Sequence, residues 1–443
     1  MNTPQPVDLL IAPQWIVPVV PRGLVLQEHA LIIDAGHILD ILPLADVRQR
    51  YLPRQSHHLP SQAVMPGLIN LHTHAAMSLM RGLADDIALM PWLKEHIWPA
   101  EHAFVSEAFV NDGTLLACAE MIRGGTTCFA DMYFYPMATA SAVKQAGMRA
   151  SLGLVVIDFP TGYAADADDY INKGLAARDA LSGISTLSTI FAPHAPYTVG
   201  DRTFEKLLTF SGQLDLGIHV HLHETQAEIT ESVAQYGIRP LQRLANLGLL
   251  GPGLIAAHGV HLTQTEIELL AEHGCHIAHC PTSNLKLASG IAPVADLLTH
   301  AVNVGLGTDG AASNNRLDMF GEMRMAALLA KGASGNAEVL QAWRALEMAT
   351  LNAAQALGLD GVIGSLEIGK AADLIAVDLS DVETQPCFDV VSHLVYAAGR
   401  SEVTHVWVEG RCLLSEGQLT TLDRREVLEK AKLWQKRLQA KSM

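Results

Sequence analysis

Leu216-Gly-Ile-His-Val-His-Leu222, Leu254-Ile-Ala-Ala257, His276-Ile-Ala278 and Val302-Asn-Val-Gly-Leu-Gly307 are four short apolar runs spaced through the second half of the chain. Thr263–His273 and Leu317–Ala330, the segments around the later runs, carry helical spacing. Four more apolar runs come earlier: Gly67–Leu71, Thr127–Asp131, Ala150–Ile157 and Thr189–Ala192, with Ser106–Arg123 and Pro136–Ala146 as helices among them. Such runs read as strands buried on both faces, and a helix between successive strands makes the pairing parallel. Eight alternations close naturally into an α/β architecture, a (β/α)8 barrel of TIM type, with an open doubly wound sheet as the alternative. No fixed-period repeat points to a solenoid.

Outside these runs the texture changes. Leu9-Leu-Ile-Ala12, Trp15-Ile-Val-Pro-Val-Val20 and Ala30-Leu-Ile-Ile-Asp34 are β-rich and punctuated by Pro and Gly. The same texture returns in Ala372–Asp378, Val403–Glu409 and Arg411–Leu414. The expectation is a small β-sandwich built from 1–64 and 361–422, around a barrel over 65–360. The stretch 423–443, rich in Lys, Glu, Leu and Ala, predicts a surface helix.

The chain has 443 residues, with 30 Lys plus Arg against 46 Asp plus Glu, a net charge of −16. That charge argues against nucleic acid and anionic membrane surfaces as partners. With 49% hydrophobic and 17% charged residues the chain is too apolar for disorder. No run approaches the roughly 18 apolar residues of a membrane span, and Met1–Asp8 lacks the pattern of a secretion signal. The six cysteines are scattered without a Cys-x-x-Cys pair, as expected of reduced thiols in the cytoplasm. A barrel with exposed helices carries the expectation of a homodimer or larger homo-oligomer.

The 20 histidines prompt a search for a metal site. His72 and His74 close the first apolar run, and residues i and i+2 of an extended segment share a face. His219, His221 and His223 alternate through the fifth run, so spacing alone does not choose among them; a solvated barrel mouth or a hydrogen-bonded core would look the same. The more informative element is His221-x-x-Glu224, a strand residue followed by a carboxylate past the strand's end. His194 ends the fourth run, His258 the sixth and Asp309 the eighth. A polar residue closing an apolar strand is costly if buried alone, but at the carboxyl end of a barrel strand it faces the catalytic mouth. Polar residues closing runs one, four, five, six and eight imply a shared centre. Three imidazoles (His72, His74, His221) with Asp309 make an N3O set that suits one Zn2+, with Fe, Ni or Mn as alternatives. Such an ion brings the pKa of water to about 7. Glu224 is then placed as general acid or base, and His258 to orient hydroxide.

Competing motifs weaken on inspection. Gly305-x-Gly307-x-x-Gly310 matches a dinucleotide fingerprint, but it lies far from the first strand and would aim Asp309 at a pyrophosphate. His223-Glu224 lacks the second histidine of a zinc-protease motif, and no Pro-Cys-x-x-Cys of the cytidine-deaminase type exists. The stretch Met77–Trp98 reads as lid and core that could wall a pocket.

Pro66-Gly-Leu-Ile-Asn-Leu-His72-Thr-His74, His221-x-x-Glu224, Ala257-His258-Gly, Gly307-Thr-Asp309 and the late Gly364–Leu374 together resemble the amidohydrolase superfamily. Arg81–Asp86, Trp92–Glu101 and His279–Leu287 resemble, within it, the 5′-methylthioadenosine/S-adenosylhomocysteine deaminases. The resemblance implies one metal ion on His72, His74, His221 and Asp309, because no lysine lies in or beside Leu187–Pro193 to bridge a second. It also implies substrate contacts from Glu101, His194, Glu224, His258 and Asp309, with Glu101 receiving the ribose hydroxyls and His194 the purine. Hydroxide would attack C6 of the adenine ring, Glu224 would protonate a ring nitrogen, and Asp309 would relay a proton to the departing amine. Relatives handling S-adenosylhomocysteine often carry a second arginine shortly after the one matching Arg149, and Arg149–Ile157 has none. The expected substrate is therefore 5′-methylthioadenosine, with adenosine, and less readily S-adenosylhomocysteine, also accepted. A deaminase or chlorohydrolase acting on a free base or triazine is the rival enzyme. A catalytically inactive barrel scaffold, the rival of another class, should have lost ligands that are all present here.

Overall fold

The computed structural model describes residues 3–441. Eight strands run parallel in sequence order: Leu68–Thr73, Thr126–Asp131, Arg149–Val156, Leu187–Pro193, Ile218–Leu222, Leu254–His258, His276–His279 and Asn303–Leu306. Each coincides with one of the apolar runs. The eighth returns to the first through Asp309 N–H donating to His72 O at 2.9 Å. That closure explains the glycines of the false fingerprint. A Cβ on Gly305 would lie 2.7 Å from Leu71 Cδ2, and one on Gly307 would lie 2.8 Å from the His72 backbone nitrogen. These glycines let the last strand pass against the first.

The expected helices form with the caps their sequences carry. Ser106 accepts from Phe109 N–H at the start of Glu107–Arg123, Pro136 opens Pro136–Ala146, and Thr263 with Glu266 forms a capping box on Gln264–Glu272. The helix Arg424–Lys441 packs back on Glu107–Arg123, where Trp434 Nε1 donates to Asp112 Oδ2 at 2.9 Å and its ring meets Phe109 edge-on at 5.2 Å.

Both chain ends meet in a second sheet of nine strands. Its junction is the strand Tyr51–Pro66, which pairs in parallel with Gln5–Ile16 and antiparallel with Leu374–Asp378. Alternation buries both faces: Leu9, Ile11, Leu31 and Ile33 enter one cluster, Leu10, Ala12, Ala30 and Ile32 another. The Tyr51–Pro66 strand was hidden in the sequence by Pro53 and Pro60. The half that carries them pairs on one side only, where a missing N–H is tolerated. Arg149 opens the third barrel strand, away from the mouth, where its guanidinium binds buried Asp373 at 2.9 Å and Glu409 at 3.3 Å. Among the described residues no helix is long and apolar enough to cross a membrane.

Candidate metal centre and active site

The carboxyl ends of strands one, five, six and eight bring their polar residues to one point. The ring of His72 lies 4.9 Å from that of His74, 4.8 Å from His221 and 5.5 Å from His258. Ligand atoms of His72, His74 and Asp309, and of His72, His221 and His258, fall within 4.8 Å of one another. His258 thus converges on the same point as His221. Asp309 Oδ1 approaches His74 Nε2 at 3.2 Å and His72 Nε2 at 3.6 Å.

Outward-facing nitrogens decide what the inner ones can do. His74 Nδ1 lies 2.6 Å from Met132 O, His221 Nδ1 2.7 Å from His194 O, and His258 Nδ1 2.8 Å from Asn284 Oδ1. A carbonyl oxygen only accepts, so each Nδ1 must carry the proton and each neutral ring keeps its lone pair on Nε2. His221 Nε2 and His74 Nε2 nevertheless face each other at 3.2 Å, and His72 Nε2 is buried without a hydrogen-bond partner. Converging lone pairs beside a carboxylate fit a divalent cation. Burial lowers the pKa of His74, but Asp309 outweighs it and raises the group to about 9, while burial takes His72 down to about 4. The carboxylate calls for positive charge among these rings.

The three alternating histidines of the fifth apolar run separate here. His219 stands 3.1 Å behind His72, with its Nε2 on His72 Nδ1. Only His221 turns Nε2 into the centre. His223 lies past the strand at φ 55°, leaves the alternation, and accepts Leu241 N–H on Nε2 at 3.0 Å, so it caps the helix Pro240–Asn246. His258 and Asp309 also hold positive φ, 75° and 64°, a strained conformation for side chains of this kind, and here it clusters at the site.

Glu224 is buried beside the centre, its Oε2 3.9 Å from His258 Nε2, and burial raises its pKa. Both oxygens of Glu228 hold this turn, accepting the N–H of His223 at 3.0 Å and of Glu224 at 2.8 Å. His194 lines the cavity with Nδ1 2.9 Å from Thr198 Oγ1, and burial takes it to about 3, a neutral ring. Glu101 lies on the outer wall, on the helix Trp98–Phe104, where it accepts the Tyr133 hydroxyl at 2.8 Å.

Several groups around the site were not foreseen. Ser283 and Ser313 both donate to Asp309 Oδ2, at 2.7 and 2.6 Å, and Gly310 N–H donates to Oδ1 at 2.8 Å. Ser283 and Asn284 belong to the His279–Leu287 string, which carries the family resemblance but no local sign of these contacts. Nothing local marked Met132, Tyr133 or His219 as supports. The cavity beyond the centre is walled by Met77, Leu89, Trp92, Leu93, Ile97 and Trp98, all within the stretch read as lid and core. Val155 at the end of strand three, and Ile157 and Phe159 just beyond it, also line the cavity. Among the described residues, no lysine or arginine lines it.

The amidohydrolase family model matches residues 63–413. A protein of Saccharophagus degradans described as a 5-methylthioadenosine/S-adenosylhomocysteine deaminase is 48% identical over 440 residues, covering 99% of each chain. A 5′-deoxyadenosine deaminase of Methanosarcina mazei is 42% identical over 426 residues, covering 96% of each. Among solved structures, an adenosine deaminase from Xanthomonas campestris with bound zinc superposes with a TM-score of 0.98 at 49% identity, covering 99% of this chain and 100% of that one. With a barrel closed through His72 and Asp309 and a matching sequence over most of its length, the chain belongs to the amidohydrolase family.

Proposed function

We propose that this enzyme hydrolyses the 6-amino group of adenine nucleosides, giving the inosine-type product and ammonia, with 5′-methylthioadenosine as its preferred substrate and adenosine accepted. The observation that carries the reading is a cavity with a cation-seeking cluster and buried Glu224 at its inner end, a diol-sized carboxylate, Glu101, on its wall, and apolar surroundings. The deaminases of adenosine-type substrates among its relatives support the same chemistry.

His72, His74, His221 and Asp309 would hold one divalent ion, zinc first among them, and such an ion supplies an acidified water as nucleophile near neutral pH. Ser283 and Ser313 hold the Asp309 carboxylate in place through Oδ2, leaving Oδ1 toward the imidazoles. His258, its Nδ1 proton fixed on Asn284, offers Nε2 as an acceptor that orients the attacking oxygen toward C6. Glu224, kept protonated longer by burial, donates to a ring nitrogen as C6 becomes tetrahedral. Asp309 accepts the proton released by the attacking oxygen and returns it to the departing amine. His194 contacts the purine. Glu101 accepts the two ribose hydroxyls, as one carboxylate can.

The apolar wall fits a methylthio group and leaves the amino-acid tail of S-adenosylhomocysteine without a cationic partner. Ammonia release and the adenine-to-hypoxanthine absorbance change, measured for 5′-methylthioadenosine, adenosine and S-adenosylhomocysteine, test this order. The highest kcat/KM is expected for the first, and a clear preference for S-adenosylhomocysteine would overturn it. We propose also that the enzyme works in the cytoplasm as a homo-oligomer on free nucleosides, away from nucleic acid and membrane. Six free thiols and a net charge of −16 support that setting.

A further inference from the structure

We propose that Tyr133 is a positioning residue that sets Glu101 for the ribose diol, so that the segment Asp131-Met132-Tyr133 fixes the span between the base-reacting centre and the sugar. The inference rests on the reading of Glu101 as the ribose carboxylate. Glu101 sits on a seven-residue helix in the insertion between strands one and two, outside the barrel sheet. A side chain there needs an anchor on the scaffold if it is to hold two hydroxyls in register with a ring several ångströms away. Tyr133 supplies it: the phenol is buried, and its O–H donates to Glu101 Oε1 at 2.8 Å.

The anchor continues into the centre through three consecutive residues. Asp131 Oδ1 accepts Ala75 N–H at 2.7 Å, directly after His74. Met132 N–H donates to Thr73 O at 2.9 Å, and Met132 O accepts His74 Nδ1–H at 2.6 Å. The next residue is Tyr133. Three consecutive residues at the end of strand two therefore grip a histidine of the proposed metal site, the backbone following it, and the proposed sugar carboxylate. Burial and the neighbouring Glu101 hold the Tyr133 phenol neutral, so it donates at every working pH. With Oε1 committed to Tyr133, the remaining lone pairs of Glu101 accept the 2′- and 3′-hydroxyls.

Tyr133→Phe removes the donor and keeps the ring. Steady-state kinetics on adenosine and 2′-deoxyadenosine, with metal content measured alongside, read the result. The expected outcome is a KM for adenosine about tenfold higher, kcat within about twofold of the parent, unchanged metal content, and a smaller rise for 2′-deoxyadenosine. Glu101→Gln should raise KM as much or more, and adding Tyr133→Phe to it should raise KM no further. Glu101→Asp keeps the charge but withdraws it from the phenol, so its KM for adenosine should rise as well, reading the contact from the other side. An unchanged KM in Tyr133→Phe while Glu101→Gln raises it overturns the role of Tyr133 alone. An unchanged KM in Glu101→Gln overturns the ribose reading and the proposal with it. A purely structural Tyr133 would lower kcat or metal content and treat both nucleosides alike, which also overturns it.

Discussion

The inner and outer halves of the cavity are built by different means. At the inner end the converging side chains stand on or just beyond barrel strands, and four of them have an outward nitrogen or oxygen tied: His74 to Met132, His221 to His194, His258 to Asn284, Asp309 to Ser283 and Ser313. Three of the residues there hold positive φ. The outer half is mostly Leu89, Trp92, Leu93 and Trp98 from one insertion and Phe159 from one loop, held by apolar contact and backed by Trp434 of the last helix. Reactive geometry tolerates little displacement and is carried by the sheet, whereas substrate range is set where a segment can vary without moving a strand.

The contrast can be broken most severely at Asp309. Asp309→Ala should lose both metal and activity, checked by metal analysis of the purified variant; a fully loaded but inactive enzyme would remove Asp309 from the ligands. Glu224→Gln comes next. General acid–base help is worth about 10²–10⁴-fold, so kcat should fall by that much with metal content near that of the parent. Near-normal turnover would take the proton-transfer role away from Glu224.

Arg149 sharpens the comparison from outside both halves. Arg149→Leu strands the Asp373 carboxylate in the interior, and breaking a buried pair this way costs about 3–5 kcal/mol. Chemical denaturation should register that loss while the ranking of nucleoside substrates stays the same. A smaller effect is expected for Asn284→Leu, which removes the acceptor of His258 Nδ1–H and should lower kcat about 10–100-fold in a folded protein. The smallest concerns pH in the outer half. Burial raises Glu101 to about 7, against the opposing hydrogen bond from Tyr133. A protonated carboxyl loses acceptor capacity, so KM for adenosine should rise as pH falls from about 8 to about 6, and Glu101→Gln should flatten the profile.

The barrel was legible because most of its strands are buried on both faces and so read as short apolar runs, and the polar residues ending those runs stand out. His72, His74, His258 and Asp309 were visible on that ground from local pattern. The strand Tyr51–Pro66 was not, because its prolines carry a turn signal that one-sided pairing cancels.

Local order in the chain determined the eight strands, the residues that close them and the demand for a cation. Only the tertiary structure decided which of His219, His221 and His223 enters the centre, since their spacing is equivalent and what separates them is a partner far along the chain: His72 for the first, His194 O for the second, Leu241 N–H for the third. It likewise decided that Ser283, Asn284 and Tyr133 meet Asp309, His258 and Glu101, because a hydrogen bond is fixed by where two atoms meet in space, and strand pairing across the barrel brings together groups that no periodicity connects.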